Sequence, residues 1–135
     1  MPFILHERLH TGGIDFGIRG KCQILLKTNA LFPWFILVPK VEDDIVDLHQ
    51  LEMADHESVM QTIREISQFV ETHFKPDKIN IAAIGNIVPQ LHIHVVARYQ
   101  TDPAWPDVIW GHNDKKAYQT NDIEIIKKAY DHYPF

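Results

Sequence analysis

Nine consecutive residues, Gln90 to Arg98, alternate with a period of two, and no other segment restricts the fold as tightly. Leu91, Ile93, Val95 and Ala97 make one wholly apolar face, while Gln90, His92, His94, Val96 and Arg98 make the other. A segment of this kind is a strand whose apolar face lies on a core. Two imidazoles and an amide then stand in a row on the opposite face, roughly 6–7 Å apart.

The rest of the chain supplies partners for that strand. Cys22 to Lys27 and Trp34 to Val38 read as two strands, the second ended by Pro39, with Thr28 to Pro33 joining them as an antiparallel hairpin. Val59, Ile63, Ile66, Val70 and Phe74 recur at spacings of three and four, the stripe of one long helix. Asp55 is placed to cap its start, and Pro76 lies just past its end. Ile79 to Ile84 reads as another strand before a Gly85-Asn86 turn. A short helix is expected over Asp47 to Met53 and a longer one over Asp122 to His132. Met1 to His10 shows no period, and Thr11-Gly12-Gly13 and Gly17 to Gly20 read as turns. Strands with few, segregated helices define an α+β domain on an antiparallel sheet.

Length and composition set the bounds. A chain of 135 residues and 15.7 kDa is expected to be a single domain spanning 1–135. Such a chain buries roughly two-thirds of its unfolded surface, so its core needs no disulfide or structural metal. Cys22 is the lone cysteine, which excludes an intramolecular disulfide and suits a reducing cytoplasm. The net charge of −5 argues against a nucleic-acid polymer as partner. Apolar runs such as Phe35 to Val38 are too short to span a bilayer, and no leader pattern is evident.

With nine histidines in the chain, an H-x-H pair arises by chance about 0.6 times, so context must carry His92 and His94. Neutral His serves as nucleophile or base, protonated His as acid, and Gln90 donates and accepts without titrating. The row suits an anionic group, and the Gly85-Asn86-Ile87-Val88-Pro89 turn can offer backbone N–H groups to a phosphate. Three other readings stand beside this one. The two histidines are a satisfied pair on a polar face; they are metal ligands, although no Asp, Glu or Cys accompanies them; or Trp34, Trp105 and Trp110 serve packing or a partner interface. Arg98 shares the histidines' face and is equally a solvated edge residue. Asn86 is equally a turn residue. Cys22 reads as a small buried hydrophobe, and His6 with His10 as a surface pair.

The segment Gly85-Asn86-Ile87-Val88-Pro89-Gln90-Leu91-His92-Ile93-His94-Val95-Val96 resembles the histidine triad (HIT) signature of nucleotide hydrolases and transferases, H-φ-H-φ-H-φ-φ with φ apolar, preceded by a Gly-containing phosphate loop. The similarity extends over roughly Cys22 to Arg98 in the order of strands, long helix and motif. The Trp/Pro segment and helix of 99–135 resemble one bacterial branch of HIT-like proteins. The resemblance implies an antiparallel sheet of about five strands with one long and one or two shorter helices. It implies hydrolysis or nucleotidyl transfer at the α-phosphorus of small nucleotide conjugates, phosphoramidates or dinucleoside polyphosphates. His92 matches the family's nucleophile and His94 the histidine that donates to phosphate oxygens. Ile87 matches the loop position whose N–H contacts phosphate, with Asn86 beside it. Asn80 and Asn29 lie near positions that touch phosphate or leaving group and ribose. The resemblance implies a small nucleotide as ligand, no cofactor or metal, no membrane, and a homodimer. Two positions depart from the pattern: Gln90 stands where the first histidine belongs, and Trp34 replaces a His at the nucleoside side. A pocket kept for binding after loss of turnover is the main alternative.

Overall fold

A computed structural model describes residues 2–135. Five strands form one antiparallel sheet in the order β1-β2-β3-β5-β4. They are β1 (Gly13–Arg19), β2 (Cys22–Lys27), β3 (Trp34–Pro39), β4 (Lys78–Ala82) and β5 (Ile93–Arg98). Three helices accompany them: α1 (Glu7–Thr11), α2 (Met53–Phe74) and α3 (Thr120–His132). The β2–β3 hairpin and α+β class are as the sequence indicates.

The central strands β3 and β5 are buried along their whole length because the sheet is covered on both faces. On one face Ile24, Leu26, Phe35, Leu37, Ile93, Val95 and Ala97 meet Val59, Ile66, Phe69 and Val70 of α2, with Ile126 and Tyr130 of α3 closing the layer. Full burial of Ile93 or Val95 is worth about 1.5–3 kcal/mol each. The other face carries a smaller cluster of Leu25, Trp34, Ile36, Val38 and Val96 under Leu9, Phe32 and Ile109. Most of the histidine-bearing face is therefore covered, by α1, the β2–β3 connection and the segment after β5.

Several boundaries differ from those expected. β1 occupies a stretch read as turns because a bulge between Asp15 and Ile18 breaks its alternation. Gly17, at φ +86°, allows the bulge, and its N–H donates to Asp15 Oδ1 at 2.8 Å. α2 starts at Met53 with Glu52 as its cap residue, which places Asp55 in the first turn instead. Lys75 in the left-handed conformation ends it one residue before Pro76. The helix expected over Asp47 to Met53 is a single 3₁₀ turn, Leu48–Gln50, because Gln50 Oε1 folds back to accept the N–H groups of Val46 and Asp47. The motif strand is shorter than Gln90 to Arg98: β5 begins at Ile93, and β4 ends at Ala82, so Ala83 to His92 form a long loop.

Candidate active site

His94 lies in β5 opposite Ile36 of β3 on one side and Ala82 of β4 on the other, and is 6% exposed. His92 stands just before β5, also 6% exposed. Leu91 still packs into the α2-side core, so the two-residue alternation persists although ladder pairing has not begun. The two imidazole centroids are 4.9 Å apart at an angle of 71°. They line a pocket of about 310 Å³ together with Ile84, Asn86, Ile87, Val88 and Trp110. That volume is at the lower end for small-molecule sites. A larger cleft of about 540 Å³, between Pro103 and His112, holds neither His92 nor His94.

Hydrogen bonds fix both imidazoles. His92 Nδ1 lies 2.6 Å from the backbone carbonyl oxygen of Gln90. A carbonyl only accepts, so Nδ1 carries the proton and Nε2 carries a free lone pair. His94 is set the opposite way: Trp34 Nε1–H donates to its Nδ1 at 2.9 Å. An indole only donates, so His94 holds its proton on Nε2. The site thus pairs one acceptor nitrogen with one donor N–H. Trp110 packs edge-on to both His94 and Trp34, at 5.3 and 6.3 Å between ring centroids.

Burial keeps the pair neutral. Desolvation lowers the His94 pKa from 6.5 to about 3, with further lowering from the charges of His92 and Lys27. Desolvation also lowers His92 below 6.5; the hydrogen bond to Gln90 opposes this, while Lys27 and His6 add to it. His92 is therefore neutral over a wider pH range than an unperturbed imidazole would be.

The pocket gathers four of the eight residues singled out in the sequence: His92, His94, Asn86 and Ile87. Gly85, at φ +70°, provides the left-handed turn that carries the loop there. The other four are engaged elsewhere. The Gln90 amide turns to the N-terminal segment, its Nε2 donating to the Ile4 carbonyl at 2.9 Å and its Oε1 accepting from the His6 N–H at 2.8 Å. Gln90 serves the site through its backbone carbonyl. Asn29, buried, accepts from the N–H groups of Leu31 and Lys116, which fastens the stretch before α3. Arg98, only 1% exposed, makes a two-pronged ion pair with Asp102 at 2.8 and 3.1 Å and donates to Asn80 Oδ1 and the Asp107 carbonyl. Asp102 also caps the N–H groups of Tyr99, Ala104 and Trp105. Burial raises the Asp102 pKa, but the Arg98 and backbone hydrogen bonds outweigh it and bring it to about 2. This knot ties down the tail segment that carries Trp110.

The role of Trp110 in the pocket wall was not evident from the sequence, because its contact with His94, sixteen residues earlier in the chain, depends on the Arg98–Asp102 knot that folds the tail back. Lys27 was likewise passed over. It sits on the β2 face shared with Leu25, its ammonium 5.5 Å from the Trp34 ring centroid. Among the described residues no group of three His, Cys, Asp or Glu side chains is placed to hold a metal ion.

An antiparallel five-stranded α+β fold, with a paired-histidine pocket at the start of a central strand, is the architecture of the histidine triad proteins. The HIT domain family model matches residues 16–101, and the chain belongs to that family. The match begins at β1, six residues before the similarity evident in the sequence. Solved structures agree over nearly the whole chain. A histidine triad protein of Bradyrhizobium japonicum is 34% identical, with 97% of each chain covered and a TM-score of 0.93. A histidine triad protein of Marinobacter aquaeolei VT8 is 36% identical, with 96% of this chain and 93% of that one covered and a TM-score of 0.91. A third, from Sinorhizobium meliloti 1021, is 35% identical over 94% of this chain and 93% of its own, at a TM-score of 0.90. No curated protein sequence matches the chain.

Proposed function

We propose that the chain is a nucleotide hydrolase or nucleotidyl transferase that attacks the α-phosphorus of small nucleotide conjugates with His92 Nε2. The observation that carries this reading is the 2.6 Å contact between His92 Nδ1 and the Gln90 carbonyl. It leaves the lone pair on Nε2 and stabilises the positive charge that the ring gains when Nε2 bonds to phosphorus. His94 Nε2–H, a fixed donor beside it, stabilises charge on the phosphoryl oxygens. Asn86 and Ile87 line the same pocket, where backbone N–H groups of the loop would hold phosphate. As the N–P bond forms, the bond from phosphorus to the departing group breaks and its electron pair leaves with that group. Water then attacks the phosphorus, the P–N bond breaks with its electron pair returning to His92 Nε2, and one water proton passes to solvent. Cytoplasmic residence accords with the lone, buried Cys22, and no helix among the described residues is long and apolar enough to cross a membrane.

The experiment is release of nucleoside monophosphate from a dinucleoside polyphosphate by the wild-type chain and by His92→Ala, each with and without chelator. Turnover that survives chelator and disappears in His92→Ala supports the reading. Binding of the nucleotide with no turnover by the wild type would replace it with a binding module, and turnover retained by His92→Ala would refute it.

The homodimer belongs to the same proposal. β4 is a sheet edge with Ile81 half exposed, a surface suited to pairing with a second copy. Light scattering of the wild type and Ile81→Lys tests it: a dimer that the substitution dissociates supports the pairing, and a wild-type monomer counts against it.

A further inference from the structure

We propose that Lys27 and Lys115 form a cationic subsite beside the histidine pair, which holds a second anionic group of the substrate, distinct from the phosphoryl group that His92 attacks. The proposal rests on the catalytic reading for its substrate, whereas the subsite itself is testable without turnover.

Lys27 ends β2, on the sheet face that bears the histidines. Its ammonium stands 5.5 Å from the Trp34 ring centroid, and the Trp34 indole is bonded to His94 Nδ1. Lys27, Trp34 and His94 thus form a row across three neighbouring strands, β2, β3 and β5. The Lys27 charge reaches both imidazoles, since it disfavours protonation of each. Gly12 keeps room beside the ammonium: a Cβ there would lie 3.0 Å from Lys27 Nζ.

Lys115 is brought to the same end of β2 by the stretch that leads into α3. The Ala30 N–H donates to the Lys116 carbonyl at 2.7 Å, and the Lys116 N–H donates to Asn29 Oδ1 at 3.3 Å. These bonds pin the chain at residue 116 to the β2–β3 connection just past Lys27. Lys115 precedes that clamp and is exposed. Its charge is felt at Lys27, whose pKa is lowered from 10.5 by burial and then by Lys115.

Neither ammonium is answered by a carboxylate. The ion pairs among the described residues engage Arg19, Lys21, Arg98, His112 and Lys127, and include neither Lys27 nor Lys115. Asp114, next to Lys115 in sequence, turns towards His112 instead, at 3.8 Å. A half-buried ammonium beside a second one is disfavoured twice over, and the face of Trp34 attracts it only weakly. In a chain of net charge −5, such an unanswered pair of cations is a place for an anion from outside. Phosphate suits it, because each lysine presents a compact charge with three donors. Neither lysine lines the pocket of His92 and His94, so the group they hold is not the one attacked there. Two arms of a nucleotide conjugate supply such a group: the departing polyphosphate, or a phosphate on the nucleoside.

Binding is tested with inorganic pyrophosphate, followed by tryptophan fluorescence because the Lys27 ammonium lies over Trp34. Lys27→Gln should weaken binding about tenfold and Lys115→Gln severalfold, while Lys27→Arg should keep most of the affinity. The same Kd in the wild type and both Gln variants, or no binding by the wild type at about 10 mM, would overturn the proposal.

Kinetics then show which arm is held. The loss of kcat/KM caused by Lys27→Gln is compared on three substrates: the 4-nitrophenyl ester of adenosine 5′-phosphate, the same ester bearing a 3′-phosphate, and diadenosine tetraphosphate. The loss should be at least about tenfold greater on one of the two that carry a further anion. A greater loss on the tetraphosphate assigns the departing arm, and on the 3′-phosphate the nucleoside arm. Equal losses on all three would overturn the proposal and make Lys27 an electrostatic neighbour of the histidines alone. Should Lys27→Gln fail to fold, Lys115→Gln carries the same comparison. Turnover of none of the three by the wild type would remove the catalytic reading, and the pyrophosphate titration would still decide the subsite.

Discussion

Trp34 and His94 are joined by a buried hydrogen bond, indole Nε1–H to imidazole Nδ1 at 2.9 Å, that spans sixty residues of sequence and ties β3 to β5 behind the pocket wall. The bond does two things at once. It satisfies two polar atoms that burial would otherwise orphan, and it decides which nitrogen of His94 faces a substrate.

Trp34→Phe removes the donor and keeps most of the ring. His94 Nδ1 is then unsatisfied, at a cost of about 1–3 kcal/mol of stability. The Nε2–H donor is no longer enforced, and kcat should drop by about tenfold or more while KM changes less. Denaturant unfolding and steady-state kinetics read the two effects separately. A variant with wild-type kcat would show that Trp34 packs against His94 without positioning it.

Gln90→Ala separates the two contributions of that residue. The backbone carbonyl that holds His92 remains, whereas the amide bonds to Ile4 and His6 are lost. Stability should fall by about 1–3 kcal/mol, with kcat retained within about tenfold. A loss approaching that of His92→Ala would place the Gln90 side chain in the chemistry after all.

Acidification should destabilise the fold. Both histidines have proton affinity depressed by burial, so below pH 6.5 the unfolded chain takes up protons that the folded chain does not. Stability is unaffected by these groups above pH 6.5 and falls as the pH drops from there towards about 3 for His94. At pH 5 His94 alone should cost about 2 kcal/mol. Urea midpoints across pH 5–8 check this, and His94→Gln should flatten the dependence. The activity profile follows the same sign: because the His92 pKa is lowered, the acid limb of kcat/KM should fall below pH 6.5.

Asp102→Ala leaves Arg98 buried without its carboxylate. The loss should be about 3–5 kcal/mol, the usual cost of one unpaired buried charge. Since Asp102 also caps three backbone N–H groups, the segment carrying Trp110 should loosen, and Trp110 fluorescence should shift before the sheet unfolds. A variant as stable as the wild type would show that the knot does not hold the tail.

The parts of this molecule that were legible in the sequence are those fixed by local periodicity. The Cys22 to Lys27 strand, the α2 stripe and the alternation through His92 and His94 each follow from spacing alone. What escaped was set by contacts distant in sequence. β1 was hidden by a bulge that needs Gly17, and Trp110 reaches the pocket only because Arg98 and Asp102 fold the tail back. Arg98, Asn80 and Asn29 are polar groups near a polar motif, and the sequence offered no way to tell that internal partners already occupy them. The Gln90 side chain misled for the same reason: period two placed it beside the histidines, but the N-terminal segment claims its amide.

The most direct measurement is to mix the wild-type chain with a dinucleoside polyphosphate, quench in alkali within the first turnovers, and map any adduct by peptide mass. The account predicts one nucleotidyl group, carried on His92 and absent from His92→Ala. Turnover with no adduct, or an adduct on any other residue, would contradict it.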